Sequence, residues 1–561
     1  MNMLKYMYAM LLIATVCFGA CQKDFLDRAP SDFISKEEVF SNIDNTEAFL
    51  NNIYVQLPSL LTPTLNNQGF YSLDAASDLS ANMWTEWPGS SIDMTIGNWS
   101  ASFSPLSYRW TDYFNAIRRT NILIENQELI PATNPTRKNR IIGEAFALRA
   151  YYYFELFRMH GELPLIERSL DPGGEEIFFQ RSAVDDVVAF IKADIERAIP
   201  LLPARHEPSE YGRATSLAMK ALLSRLCLYH ASPLFNPTGD KQRYALAATV
   251  SKEAIDFAEA NGYRLSMGEV DGLKSYERIF LEESNEEVIW SSGRTSFDYD
   301  GGYWDFYTGT LGYGGWYGES PLQGLVDSYE MRNGELPVLG YNDNNQPIPN
   351  PNSGFDPASP YEDRDPRFYQ TIGFHGDTYK GRMVNFAPGG LDYATDRPRI
   401  NYFWKKYAIP DRDLINETGG YTKRYALFRL AELYLNYAEA LNESGDHPPA
   451  AVYESLNKIR QRVGMIDLPG NLTQREMRER IRNEKKVEFA FESHRFWDIR
   501  RWEIGPAVNS GIVRKVNVSA SGVFTYPVWQ NRVFEEKHHL LPIPQGEIDK
   551  LNGQWQQNPG W

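Results

Sequence analysis

The feature that most constrains this chain is a set of helical stretches that come in pairs. Apolar residues recur at three- and four-residue spacing over Glu37–Leu57 and Trp110–Leu129, over Arg137–Met159 and Val184–Ile199, and over Ala214–His230 and Tyr244–Asn261. A fourth pair, Phe428–Asn442 and Pro449–Val463, follows only after a long gap. Stop signals punctuate the series, with Pro200 and Pro203 after one stretch and Gly262 after another. Leu430, Leu433 and Tyr437 have the first-helix spacing of a tetratricopeptide repeat. A helix pair cannot bury its apolar face alone, so such pairs stack into a solenoid. The expected fold is mainly α: a tetratricopeptide-type helical-hairpin solenoid of about four hairpins, with long irregular loop insertions and a short mixed C-terminal region.

The same pattern divides the chain. Residues 1–20 read as a cleaved leader, 21–36 as a tether and 37–262 as an N-terminal helical region. Residues 263–424 form an insertion rich in Gly, Pro, Asn and aromatics, and 425–561 a C-terminal region holding the fourth hairpin. In the leader, Lys5 precedes an apolar run, Met10 to Ala20, that closes on Phe18-Gly19-Ala20-Cys21. The run is too short to cross ~30 Å of hydrocarbon as a helix, which takes ~20 residues. A cysteine directly after Gly-Ala marks a lipoprotein signal, with Cys21 as the first mature residue and lipid carrier. Cys17 then leaves with the leader and Cys227 has no partner. Neither a disulfide framework nor a cysteine-rich zinc site can be built.

Charge excludes one function class. There are 57 Lys and Arg against 73 Asp and Glu, a net charge of −16. A protein that seeks nucleic-acid phosphates carries a basic surface instead. Aromatics are the surplus, at 14% of the chain. Phe297, Tyr299, Tyr303, Trp304, Phe306, Tyr307, Tyr313, Trp316 and Tyr317 put nine rings into 21 residues, where the chain average predicts about three. Trp84, Trp87 and Trp99 form a second group in a polar loop. Rings on Gly-rich loops have no regular core face to fill. Sugars offer flat C–H faces that stack on such rings, and Asn82, Asn98, Asp298, Asp300 and Asp305 are at hand for hydroxyls. The candidate ligand face is therefore Trp84, Trp87, Trp99, Tyr303, Trp304, Tyr307, Trp316 and Tyr317. The competing reading is a satellite core beneath a long insertion.

Other clusters point to structure. Glu484, Glu488 and Glu492 are spaced to share one helix face, where like charges repel and need cationic partners. Lys485, Arg495, Arg501 and Arg482 lie close in sequence, so an ion network with the scaffold is expected. Asp363-Arg364-Asp365-Pro366-Arg367 reads as a charged turn pinning a loop. His538 and His539 are adjacent and diverge, which argues against a shared metal. Gly309, Gly312, Gly314 and Gly315 follow no apolar parallel strand, so a flexible aromatic loop is expected in preference to a phosphate cradle. Asn342-Asp343-Asn344-Asn345 offers oxygens of the kind calcium takes but lacks the downstream bidentate Glu, which favours a solvated turn. No Gly-x-Ser-x-Gly and no His-Glu-x-x-His occurs. No catalytic residue, metal or cofactor is expected.

Several segments together resemble the SusD/RagB family of nutrient-binding outer-membrane lipoproteins. They are Cys21 to Asp27, Ala147 to Arg158 with Gly161-x2-Pro164-Leu165, Gly212-Arg213-Ala214-Thr215, and Asp363 to Arg367. Arg429 to Ala440, Arg482 to Trp502, and the tail Leu541-Pro542-Ile543-Pro544 through Gly560 complete the series. They run in family order along nearly the whole chain. The resemblance implies an all-helical tetratricopeptide-type scaffold and a lipid-anchored, surface-exposed position on the outer membrane. It also implies a TonB-dependent, SusC-like transporter barrel as partner, and capture of glycan, or in some members peptide, without catalysis. The family motifs do not reach the aromatic loops, so no binding residue is carried over. An alternative from another class is a secreted glycoside hydrolase using two carboxylates, but nothing singles out a pair.

Overall fold

The computed structural model describes residues 35–58, 72–84, 91–170, 178–282, 284–292, 304–396, 398–410, 413–416, 425–551 and 553–561. Among them are ten helices of eight residues or more. These are α1 (Ile43–Tyr54), α2 (Tyr108–Glu125), α3 (Pro135–His160), α4 (Val184–Ala198), α5 (Ser216–Ala231), α6 (Lys241–Ala260), α7 (Leu430–Ser444), α8 (Ala450–Arg462), α9 (Gln474–Glu488) and α10 (His494–Arg501).

Local chemistry sets their ends. The side chains of Asn42, Asn134, Thr215 and Asp240 each accept a backbone N–H in the first turn of α1, α3, α5 and α6, supplying a partner that a helix start otherwise lacks. Pro135 opens α3, where its missing N–H costs nothing. The stretch expected as one helix from Glu37 to Leu57 is two, Lys36–Phe40 and α1, because Asn42 caps a new start. The fourth hairpin also begins later than its periodicity predicts. Phe428 belongs to a strand, Ala426–Arg429, paired antiparallel with Val288–Ser291, and α7 starts at Leu430.

The helices stack in sequence, α2 on α3, α3 on α4 and α5 on α6, and α7 then packs directly on α6 although the insertion separates them. Small residues permit that approach. Ala247, Ala248, Ala254 and Ala258 of α6 are buried, and the Ser224 and Ser251 hydroxyls share a hydrogen bond of 2.7 Å across the α5–α6 interface. Cys227 packs here with Leu228, Ala247, Ala248 and Ala440 as a small apolar residue. Burial pushes its thiol up to about 11. In α3, Tyr151, Tyr152, Tyr153, Phe154, Leu156 and Phe157 are all buried, so this part of the helix is covered on every side, as a helix at the centre of the stack must be.

The acidic series after α8 is a structural network, with partners other than its sequence neighbours. Helix α9 ends at Glu488, and Glu492 lies in the following turn between Phe491 and Ser493, both of positive φ, so the three carboxylates do not share one helix face. They still converge on common cations. Glu488 is bonded by Arg429 and Arg462 at 2.6 Å and by Arg367 at 2.9 Å. Glu484 takes Arg367 at 2.6 Å and Arg460 at 3.1 Å, and Glu492 takes Lys406 at 2.6 Å and Arg429 at 2.7 Å. Burial alone would raise the Glu488 pKa, but Arg462, Arg429 and Arg367 hold it well below the ordinary carboxylate range. Arg367 comes from the charged turn at 363–367, so that turn does pin the insertion to the solenoid.

Candidate functional site

The insertion meets the loop before α2 through a short ladder. Strand Ser80–Asn82 pairs antiparallel with Glu319–Pro321, and Met83 N–H donates to the Gly318 carbonyl at 2.7 Å. Asn82 Oδ1 then accepts from Trp84 N–H at 2.8 Å, which fixes where the Trp84 ring leaves the chain. Opposite it, the one-and-a-half-turn helix Trp304–Thr308 carries Phe306 and Tyr307, and the chain returns at Trp316, whose N–H donates to the Phe306 carbonyl. The glycines in this return are structural. A Cβ on Gly318 would lie 2.2 Å from the Tyr307 ring, and one on Gly315 would lie 2.3 Å from the Gly309 backbone. Gly312 is likewise closed in by Arg382 and Asp392. The flexible aromatic loop expected from the sequence is a close-packed turn.

This packing gathers four rings. Trp84 meets Tyr307 edge-on at 5.2 Å and lies tilted 34° to Trp316 at 6.1 Å. Trp316 stacks on Phe306 at 5.6 Å. Tyr307 and Phe306 are buried as the base, Trp84 is half-buried, and Trp316 is 36% exposed. Two indoles thus present surface from a rigid aromatic floor. Glu319 sits beneath, accepting from Ser72 Oγ at 2.8 Å, from Ser80 Oγ at 2.5 Å and from the Tyr307 hydroxyl. Burial pushes Glu319 up to about 7, and it pushes neighbouring Asp74 up to about 8.

The remaining candidates part company. Trp99 does not join Trp84: it is buried against the C-terminal tail, stacked on His538 at 5.1 Å and edge-on to Trp561 at 4.4 Å. Trp304 is wholly buried against Trp404 at 4.9 Å, and Trp404 in turn lies on Phe491. Tyr317 is buried in a small cluster with Val384, Phe386 and Phe403. Trp99 and Trp304 are thus part of the main hydrophobic core and Tyr317 of a satellite core, and Tyr307 acts as floor. Trp87 and Tyr303 lie outside the described residues, as do Cys21, Phe297 and Tyr299. Phe306 is the supporting ring that sequence reasoning left off the candidate face, and its presence in the nine-ring run was the available signal.

His538 is neutral in its aromatic nest, its pKa drawn down to about 4 by burial. The Asn342–Asn345 segment forms the turn of the hairpin Val338–Tyr341/Pro347–Pro349, where Asn342 Oδ1 accepts from Asn344 and Gln346 N–H. Among the described residues no group of three or more His, Cys, Asp or Glu is arranged to hold a metal, and no helix is long and apolar enough to cross a membrane.

Fold and site together define a helical-repeat scaffold with an aromatic platform grafted onto an insertion. The chain belongs to the SusD family: that family's model matches residues 284–561, and a second model, described as starch-binding associating with outer membrane, matches residues 24–228. A SusD-like protein of Formosa agariphila is 23% identical over 563 residues, covering 95% of this chain and 98% of the relative. A SusD-like protein of Bacteroides ovatus is 24% identical over 508 residues, covering 88% and 82%. Among solved structures, a SusD-like protein of Bacteroides fragilis superposes with a TM-score of 0.79 at 28% identity, covering 95% of this chain and 100% of that one. A second from the same species, described as a SusD-like carbohydrate binding protein, has a TM-score of 0.74 at 23% identity, with 91% and 98% covered.

Proposed function

We propose that this protein is a non-catalytic, lipid-anchored capture protein of the outer-membrane surface, which binds oligosaccharide and hands it to a TonB-dependent, SusC-like transporter barrel. The observation that carries the reading is the Trp84–Trp316 pair, an exposed indole beside a half-buried one on a buried aromatic floor. Stacking on the C–H face of a pyranose uses such a surface, and no proton transfer or metal is required. The description of the matched family model, and that of the Bacteroides fragilis carbohydrate binding protein, favour glycan over peptide. Attachment is assigned to a lipid on Cys21 after removal of residues 1–20.

Calorimetric titration of the mature chain against a glycan panel and a peptide panel tests the ligand class: heat with glycans alone is the expected result. Mass spectra of the glycans after prolonged incubation should be unchanged, and new shorter products would indicate a hydrolase instead. The Cys21→Ser form should move from the outer membrane to the soluble fraction. Co-purification of a TonB-dependent barrel with the native, membrane-extracted protein tests the partner.

A further inference from the structure

A small cavity lined by both polar and apolar side chains lies among α2, α3, α5 and the turn that follows α9. Its volume, open to the centre of a water molecule, is about 40 Å³. At roughly 10–15 Å³ for each water centre, it holds about three waters, or one small anion with part of its hydration. Arg109, Arg158 and Arg225 line it, together with Glu155, Glu492 and His494. Most of these charges are already matched. Arg158 donates to Glu155 Oε2 at 2.5 Å, Arg225 grips Glu432 with two bonds of 2.6 Å, and Glu492 is held by Arg429 and Lys406. Burial and the nearby Arg225 keep His494 neutral.

Arg109 is different. It is 7% exposed and forms no ion pair among the described residues. Its neighbours are the rings of Tyr108 and Tyr113, whose centroids lie 5.0 and 5.6 Å from the guanidinium carbon. Ring faces attract a guanidinium, but by less than it costs to take that cation out of water, so the rings do not offset its burial. With Arg158 matched by Glu155 and Arg225 by Glu432, Arg109 is the lining cation left without an ion pair among the described residues, although Asp112 and Glu155 act on it from further off. The lining is also rich in donors, because Tyr113, Tyr151 and Tyr229 bring phenol hydroxyls to it. Its open acceptor is Glu155 Oε1, buried without a partner.

We propose that this cavity binds a small monovalent anion, a halide or a carboxylate the size of formate, with Arg109 as its counter-ion. The phenol hydroxyls complete its donor shell, and a water bound beside it donates to Glu155 Oε1. The anion joins the first helices, the third hairpin and the turn after α9 at one point.

Crystals of the full chain grown without halide and soaked in bromide test the site at the bromine absorption edge. The expected result is an anomalous peak inside the cavity within hydrogen-bonding reach of Arg109; water alone there overturns the proposal. Thermal unfolding at fixed ionic strength, with gluconate replaced stepwise by chloride, should raise the midpoint by about 1 °C per tenfold excess of chloride over its dissociation constant. Arg109→Met should lose both the bromide peak and this chloride-specific rise. Arg109→Lys, which keeps the charge, should retain the peak, and it decides the matter if Arg109→Met does not fold. A peak that survives in Arg109→Met overturns the proposal. So does a peak in the parent without the chloride-specific rise, which would mark binding at crystal concentration only.

Discussion

Two regions of this molecule concentrate one kind of chemistry each, and they use it in opposite ways. The carboxylates Glu484, Glu488 and Glu492 are spaced in sequence so that they need cationic partners, and all three are buried and shared among Arg367, Arg429, Arg460, Arg462 and Lys406. The rings between Trp304 and Tyr317 look like a ligand face. Most of them are buried too, and among the described residues of this run Trp316 is the exposed ring, with Trp84 half-buried beside it. Density of a residue type marks where a protein invests in a local interaction. Exposure after packing decides whether that interaction is left for a ligand.

The largest effects should come from the buried members of each group. Glu488→Ala leaves three guanidinium groups short of a counter-charge, and breaking a buried ion network in this way costs about 3–5 kcal/mol. Urea denaturation should show that loss while glycan affinity of the folded fraction is unchanged; lost affinity at full stability would make the network functional and erase the contrast. Trp304→Ala should behave alike, because removing a fully buried indole costs about 3–5 kcal/mol. If it instead weakens binding without destabilising the chain, the division between floor and face is drawn in the wrong place.

Between these extremes lies a pH effect at the floor of the platform. Glu319 has a folded-state pKa of about 7, raised by burial from an ordinary 4.5. The folded chain therefore keeps a proton that the unfolded chain has already released above pH ~5. Its stabilising contribution is complete below the unfolded value and is lost as pH rises through the folded one. Stability should fall between pH 5 and 8 on this account, with Asp74 adding to the fall, and Glu319→Gln should remove about 2–3 kcal/mol of it. A parent profile that rises over the same interval would mean that Glu319 is ionised in the folded protein.

Helix pairs were legible in the sequence because their information is local: apolar spacing, with Pro200, Pro203 and Gly262 as stops. What escaped was long-range. The strand at Ala426–Arg429 exists because Val288–Ser291 lies beside it, and nothing near Phe428 announces that partner. Glu488 finds Arg367 and Arg429 in place of nearby Arg482 or Arg495 for the same reason. At the site, nearness in sequence misled. Trp99 is 15 residues beyond Trp84 yet stacks on His538 and Trp561. Trp316 meets Trp84 from the far side of the first three hairpins.

The most direct test of the account is a calorimetric titration of Trp316→Ala beside the parent, with the best glycan found in the panel. Trp316 is the most exposed ring of the platform, so the variant should unfold at nearly the parent's urea concentration. Its affinity should fall by about 1–3 kcal/mol, roughly 5- to 150-fold, with no change in the glycan recovered. Equal affinity for parent and variant would contradict the claim that the Trp84–Trp316 face is where this protein holds its ligand.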